Sequence, residues 1–119
     1  MPWYVAHAIL MVRLKEGAQR DFPIWENAYL ISAENDRIAL EKAKLRAQED
    51  SGDAGGSFKC NGQLAGLEFV GIRKLILCED SDLNPESGAE VTYSQFTANS
   101  EQEVQDLAQG KTVQIKYEA

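Results

Sequence analysis

Residues Trp3 to Leu14 show a period-two pattern. One alternate set is Tyr4, Ala6, Ala8, Leu10, Val12 and Leu14, all apolar or small; the other is Trp3, Val5, His7, Ile9, Met11 and Arg13, mostly apolar and broken by His7. A strand with two apolar faces is covered on both sides, or on one side by a partner. Lys15 to Ala18 reads as a turn, and Ile24 to Ala33 as a second strand. The short connection predicts an antiparallel hairpin.

A change of period follows. Asn35 is a good N-cap and Asp36 places a negative charge in the first turn, so a helix is predicted to about Glu49. Ala39, Leu40, Ala43 and Ala47 share one face, with Ile38 and Leu45 opposite. That small-residue face suits close approach to a sheet surface made smooth by Ala6, Ala8 and Ala28. Ser51 to Ser57 is glycine-rich and reads as a loop.

Phe58 to Cys60 lead into Asn61-Gly62, a strong hairpin signal because both positions tolerate positive φ. Leu64 to Cys78 is the longest apolar run and the candidate central strand, with Gly66 and Gly71 as expected bends or bulges. Glu79 to Gly88 reads as an acidic loop, and Glu90 to Ala98 as another strand. Ser100 with Glu103 forms a capping box, opening a second helix through Val104 and Leu107 to Gly110. Thr112 to Tyr117 alternates cleanly, as a half-buried edge strand does. The expectation is one α+β domain over residues 1–119, a mainly antiparallel sheet with both helices on one face. The element order is β-β-α-β-β-β-α-β.

Composition narrows the function. The 119 residues are 44% hydrophobic and 26% charged, with a formal net charge of −7. An acidic chain lacks the basic face that displaces counterions from nucleic acid, and it is repelled by anionic membrane. Neither partner is expected; a basic protein partner remains compatible. The opening segment lacks the basic start and cleavage site of a signal peptide and is too short to span a bilayer, so the expected location is the cytoplasm. Cys60 and Cys78 are then expected to be free thiols, with a redox-sensitive pair as the alternative. With one histidine and no CxxC, no metal and no cofactor are expected. No GxSxG, P-loop, GxGxxG or HExxH segment occurs.

The candidate chemistry lies in the first hairpin. A pairing of Ile9 with Trp25, His7 with Asn27, Val5 with Tyr29 and Trp3 with Ile31 would gather Trp3, His7, Trp25, Asn27 and Tyr29 on one face. Aromatic rings around a few polar groups suit a ligand pocket or the core of an interface. A slip of one residue would scatter the set. The same pairing puts Glu26 on the alanine side, where a carboxylate needs a partner; Arg73 is the natural one, as a structural ion pair.

These segments resemble an uncharacterised family of small bacterial proteins, known only as a domain of unknown function. The carrying residues are Trp3-Tyr4-Val5-Ala6, Trp25-Glu26 with Tyr29-Leu30-Ile31, Ala39 and Glu41-Lys42-Ala43, Phe69-Val70-Gly71-Ile72-Arg73, and Glu90-Val91. The resemblance implies a compact α+β domain and brings no activity and no catalytic residues. The leading expectation is a non-catalytic cytoplasmic binding or regulatory module, homodimeric through the aromatic face, since exposed apolar faces are seldom tolerated by monomers. The alternatives are a small-ligand binder or enzyme using the aromatic and His7 face, and an acidic, immunity-type inhibitor of a basic partner.

Overall fold

A computed structural model describes residues 1–78 and 88–118 of the chain. The elements are β1 (Trp3–Leu14), β2 (Ile24–Ser32), α1 (Asp36–Glu49), β3 (Lys59–Cys60), β4 (Gln63–Leu77), β5 (Gln95–Thr97), α2 (Glu101–Ala108) and β6 (Lys116–Glu118). This is an α+β fold in the order read from the sequence. Four strands form a sheet in the order β2-β1-β4-β3, while β5 and β6 pair with each other. Every pairing is antiparallel. The expected acidic loop lies, except for Gly88, outside the described residues.

Both helices start on the caps that the sequence supplies. The Asn35 side chain accepts from the Ile38 amide, and Ser100 accepts from that of Glu103. Ala39, Ala43 and Ala47 of α1 are fully buried against Tyr4, Ala6, Ala8, Leu10, Ile31 and Ala33. With only methyl groups at the contact, helix and sheet pack at close range. Ile38 also packs on this core, contrary to the expected wheel, whereas Leu45 faces solvent. The helix must therefore roll enough to tuck Ile38 under its first turn.

The hairpin register differs from expectation by one residue. Trp3 pairs with Ser32, Val5 with Leu30, His7 with Ala28 and Ile9 with Glu26. The shift turns every β2 side chain to the opposite face. Trp25, Asn27, Tyr29 and Ile31 thus join Leu10, Ala8, Ala6 and Tyr4 on the α1 side, while Glu26, Ala28 and Leu30 join His7 on the other.

Asn61 (φ 52°) and Gly62 (φ 80°) make the tight β3–β4 turn. In β4 the register against β1 shifts twice, leaving Arg73 and Val70 as extra residues on either side of Gly71. Gly66 is no bulge: a Cβ there would lie 3.4 Å from the Gly52 carbonyl, because Gly52 and Leu67 exchange two backbone hydrogen bonds of 2.8 Å.

The C-terminal elements are shorter than the alternation suggested. Residues 91–94 are irregular, and Thr92 and Tyr93 bond to side chains of the main sheet instead of a ladder. The helices do not share a face. α1 packs on β1, β2 and β4; α2 buries no residue, and the chain before and after it contacts the opposite side of the sheet.

Candidate functional site

The two halves of the expected aromatic platform face opposite ways, because of the register. On the α1 side, Trp25 meets Phe58 edge-on at 6.0 Å. Asn27 Nδ2 donates to the Tyr29 hydroxyl at 3.2 Å, and that hydroxyl donates to Asp50 Oδ2 at 2.6 Å. Arg46 lies 4.8 Å from the Tyr29 ring centroid. Burial and the Asp50 carboxylate both push the Tyr29 phenol up, since each opposes a phenolate. This is a structural brace between α1 and β2.

On the other side stands a polar cluster centred on His7, only 6% exposed. Its Nδ1 lies 2.9 Å from Glu26 Oε2, and its Nε2 lies 2.8 Å from Thr92 Oγ1. Arg73 Nε donates to the same Glu26 oxygen at 3.3 Å, and the Tyr117 hydroxyl donates to it at 3.3 Å. Ser94 Oγ is 3.0 Å from that hydroxyl. Glu26 and Arg73 therefore meet as an ion pair on the His7 face, not under the helix. The bulge explains how. Lys74 lies opposite His7 and Ile72 opposite Ala8, so the extra Arg73 is re-aimed toward the face that Lys74 occupies. Lys74 Nζ donates to the Tyr93 carbonyl.

Glu26 fixes the electrostatics. Burial raises its pKa, but hydrogen bonds from His7 and Arg73 outweigh this and hold the carboxyl below its ordinary value. An ionised carboxylate only accepts, so His7 Nδ1 must carry a proton. In the neutral ring Nε2 is then bare and accepts from the Thr92 hydroxyl. The cluster has one unmet need: Arg73 Nη2 is buried without a hydrogen-bond partner among the described residues. The Arg73 guanidinium instead stacks on the Tyr117 ring.

Thr92 also forms part of a cleft of about 240 Å³ whose walls include Ile76, Cys78, Glu90, Val91 and Tyr93. The Cys78 thiol donates to the Val91 carbonyl at 3.6 Å, and burial pushes its pKa up. Both cysteines are free. Among the described residues, no group of three or more His, Cys, Asp or Glu is arranged to hold a metal ion.

Trp3 shares the His7 face but has no polar role in the cluster. Sequence reasoning missed Thr92, Lys74 and Tyr117. Tyr117 carried a signal, as the last apolar position of an alternating strand; Thr92 carried none, since the fold around it is irregular.

A family model described as a domain of unknown function (DUF4288) matches residues 3–94. That span holds His7, Glu26, Arg73 and Thr92, and stops short of β5, α2 and β6. No curated protein and no solved structure matches the chain.

Proposed function

The chain belongs to the family described as a domain of unknown function (DUF4288), and from that premise we propose that it is a cytoplasmic binding module that acts by protein–protein contact and is itself a homodimer. The observation that carries this reading is the free edge of β2. No strand pairs with it among the described residues. Natural edge strands are blunted by lysine, proline, bulges or brevity. The nine residues of β2 contain no lysine and no proline, and Ile24, Trp25 and Leu30 are among its exposed apolar side chains.

The outward groups can be assigned. Val12 N donates to the Pro23 carbonyl, and Ala33 N donates to that of Pro2, so odd-numbered positions bond to β1. Even-numbered positions, Ile24 through Ser32, present N–H and C=O outward; Lys42 already holds the Ser32 carbonyl. An antiparallel pairing with a second copy, centred on Ala28, matches Ile24 with Ser32 and Glu26 with Leu30 about a two-fold axis.

Shape supports an open, contact-making molecule. The radius of gyration is 17.1 Å, against about 13–14 Å for a compact globule of this length. The two free thiols suit a reducing compartment.

Sedimentation velocity tests the proposal. The wild-type chain is expected to run as a dimer at high micromolar concentration. Ala28→Pro removes an outward N–H and no bond to β1, and is expected to give a folded monomer. A monomeric wild type, or a dimer indifferent to Ala28→Pro, rejects the β2 edge.

A further inference from the structure

We propose that Thr92, His7 and Glu26 form a nucleophile–base–carboxylate relay that transfers the acyl group of a small neutral ester to Thr92 and then to water. This activity is separate from the contact function and shares only Glu26 with it, whose backbone lies on the β2 edge while its carboxylate meets His7.

The arrangement has the order that such chemistry requires. Glu26 Oε2 is 2.9 Å from His7 Nδ1, and His7 Nε2 is 2.8 Å from Thr92 Oγ1. Glu26 is fixed from three sides, by His7, Arg73 and Tyr117. In the neutral ring this holds the imidazole in one tautomer, with its bare nitrogen on the hydroxyl. A purely structural histidine is satisfied by any donor and acceptor. Here its other nitrogen meets the hydroxyl of Thr92, a residue that also lines an open cleft. Lys74 Nζ donates to the carbonyl of the next residue, Tyr93, and so fixes the backbone that carries Thr92.

The chemistry balances without a co-reactant. As Thr92 Oγ1 bonds to the ester carbonyl carbon, its proton passes to His7 Nε2. Collapse of the tetrahedral intermediate breaks the carbon–oxygen bond to the leaving alcohol, which takes that proton. Water then gives a proton to Nε2 and adds to the acyl-threonine. Collapse returns the proton to Oγ1 and frees the carboxylic acid. Cys78 borders the same cleft, but its thiol is bonded to a carbonyl and, among the described residues, to no base.

The cleft defines the substrate class. About 240 Å³ between Ile76, Val91 and Tyr93 admits a short acyl chain, and Glu90 on its wall repels an anionic one. We therefore name short-chain neutral esters as substrates.

The experiment uses the full chain with p-nitrophenyl acetate and butyrate. It follows p-nitrophenolate release and locates the acyl group by peptide mass mapping. The expected result is one acyl group on Thr92, retained in Thr92→Ser and lost in Thr92→Val. His7→Gln is expected to slow acylation about 10²- to 10⁴-fold. Acylation of lysines or of His7 with Thr92 unmodified overturns the proposal, as does a folded wild type that takes up no acyl group. A Thr92 adduct that forms equally fast in His7→Gln rejects the relay, and if that variant fails to fold, Thr92→Val against Thr92→Ser still decides.

Discussion

The Arg73 guanidinium carbon lies 3.4 Å from the ring centroid of Tyr117, joining a bulge in the central sheet to the penultimate residue of β6. The same tyrosine hydroxyl reaches Glu26. Tyr117 thus caps an ion pair from above and ties residues 116–118 to the sheet. Tyr117→Phe keeps the ring and is expected to cost about 0.5–1.5 kcal/mol through the lost hydrogen bond. Tyr117→Ala is expected to cost about 1–2 kcal/mol more. Denaturant unfolding gives both values. Hydrogen exchange is expected to show residues 91–94 and 116–118 losing protection in Tyr117→Ala, and unchanged protection would contradict the cap.

Glu26 predicts an acid limb. Its folded-state pKa is lowered, so the unfolded chain binds the proton more readily. Its contribution is therefore present above the ordinary carboxylate value of 4.5 and is lost as pH falls below it. Glu26→Gln is expected to flatten the stability curve in that range. A mutant curve parallel to that of wild type would show that the ion pair adds nothing.

The alanine contact between α1 and the sheet leaves no spare room. Ala43 is fully buried, so Ala43→Leu is expected to destabilise the fold by about 1–3 kcal/mol through overpacking. Leu45→Ala, on the exposed side, is expected to stay within about 0.5 kcal/mol of wild type. Equal effects at the two positions would mean that the helix is not seated as described.

Burial should make Cys78 a slow thiol. The thiolate is the reacting species, and burial disfavours it. Iodoacetamide at neutral pH is expected to spare Cys78 in the folded chain and to label it after unfolding. Rapid labelling of folded protein at Cys78 would show the site to be open.

Much of the fold was legible because its signals are local. Asn35, Asp36 and the alanine spacing mark α1 to within a residue, and Asn61-Gly62 marks its turn without reference to anything distant. The register of the first hairpin is not local information. Both faces of β1 are apolar, so either facing of β2 buries apolar surface. The nine residues between the strands impose no fixed turn to break the tie. One residue of shift separated Trp3 from Trp25 and brought Glu26 to His7. The bulge that delivers Arg73 was equally hidden, since Gly71 marks the neighbourhood but not the extra residue. Thr92 reaches His7 across 85 positions of sequence, and no periodicity reports such a distance.

That separation has a consequence for biosynthesis. β1 finds β2 and α1 within residues 3–49, soon after they emerge. His7 must wait for Thr92, roughly 4–17 s later at about 5–20 residues per second. For the last roughly 2–9 s of that interval, after α1 is made at residue 49, a nascent chain carries a finished helix-backed hairpin whose reverse surface is bare, with an imidazole and a carboxylate already in place. The maturing polypeptide is therefore most vulnerable to unwanted association between the completion of α1 and the arrival of Thr92, which ends the exposure of the imidazole.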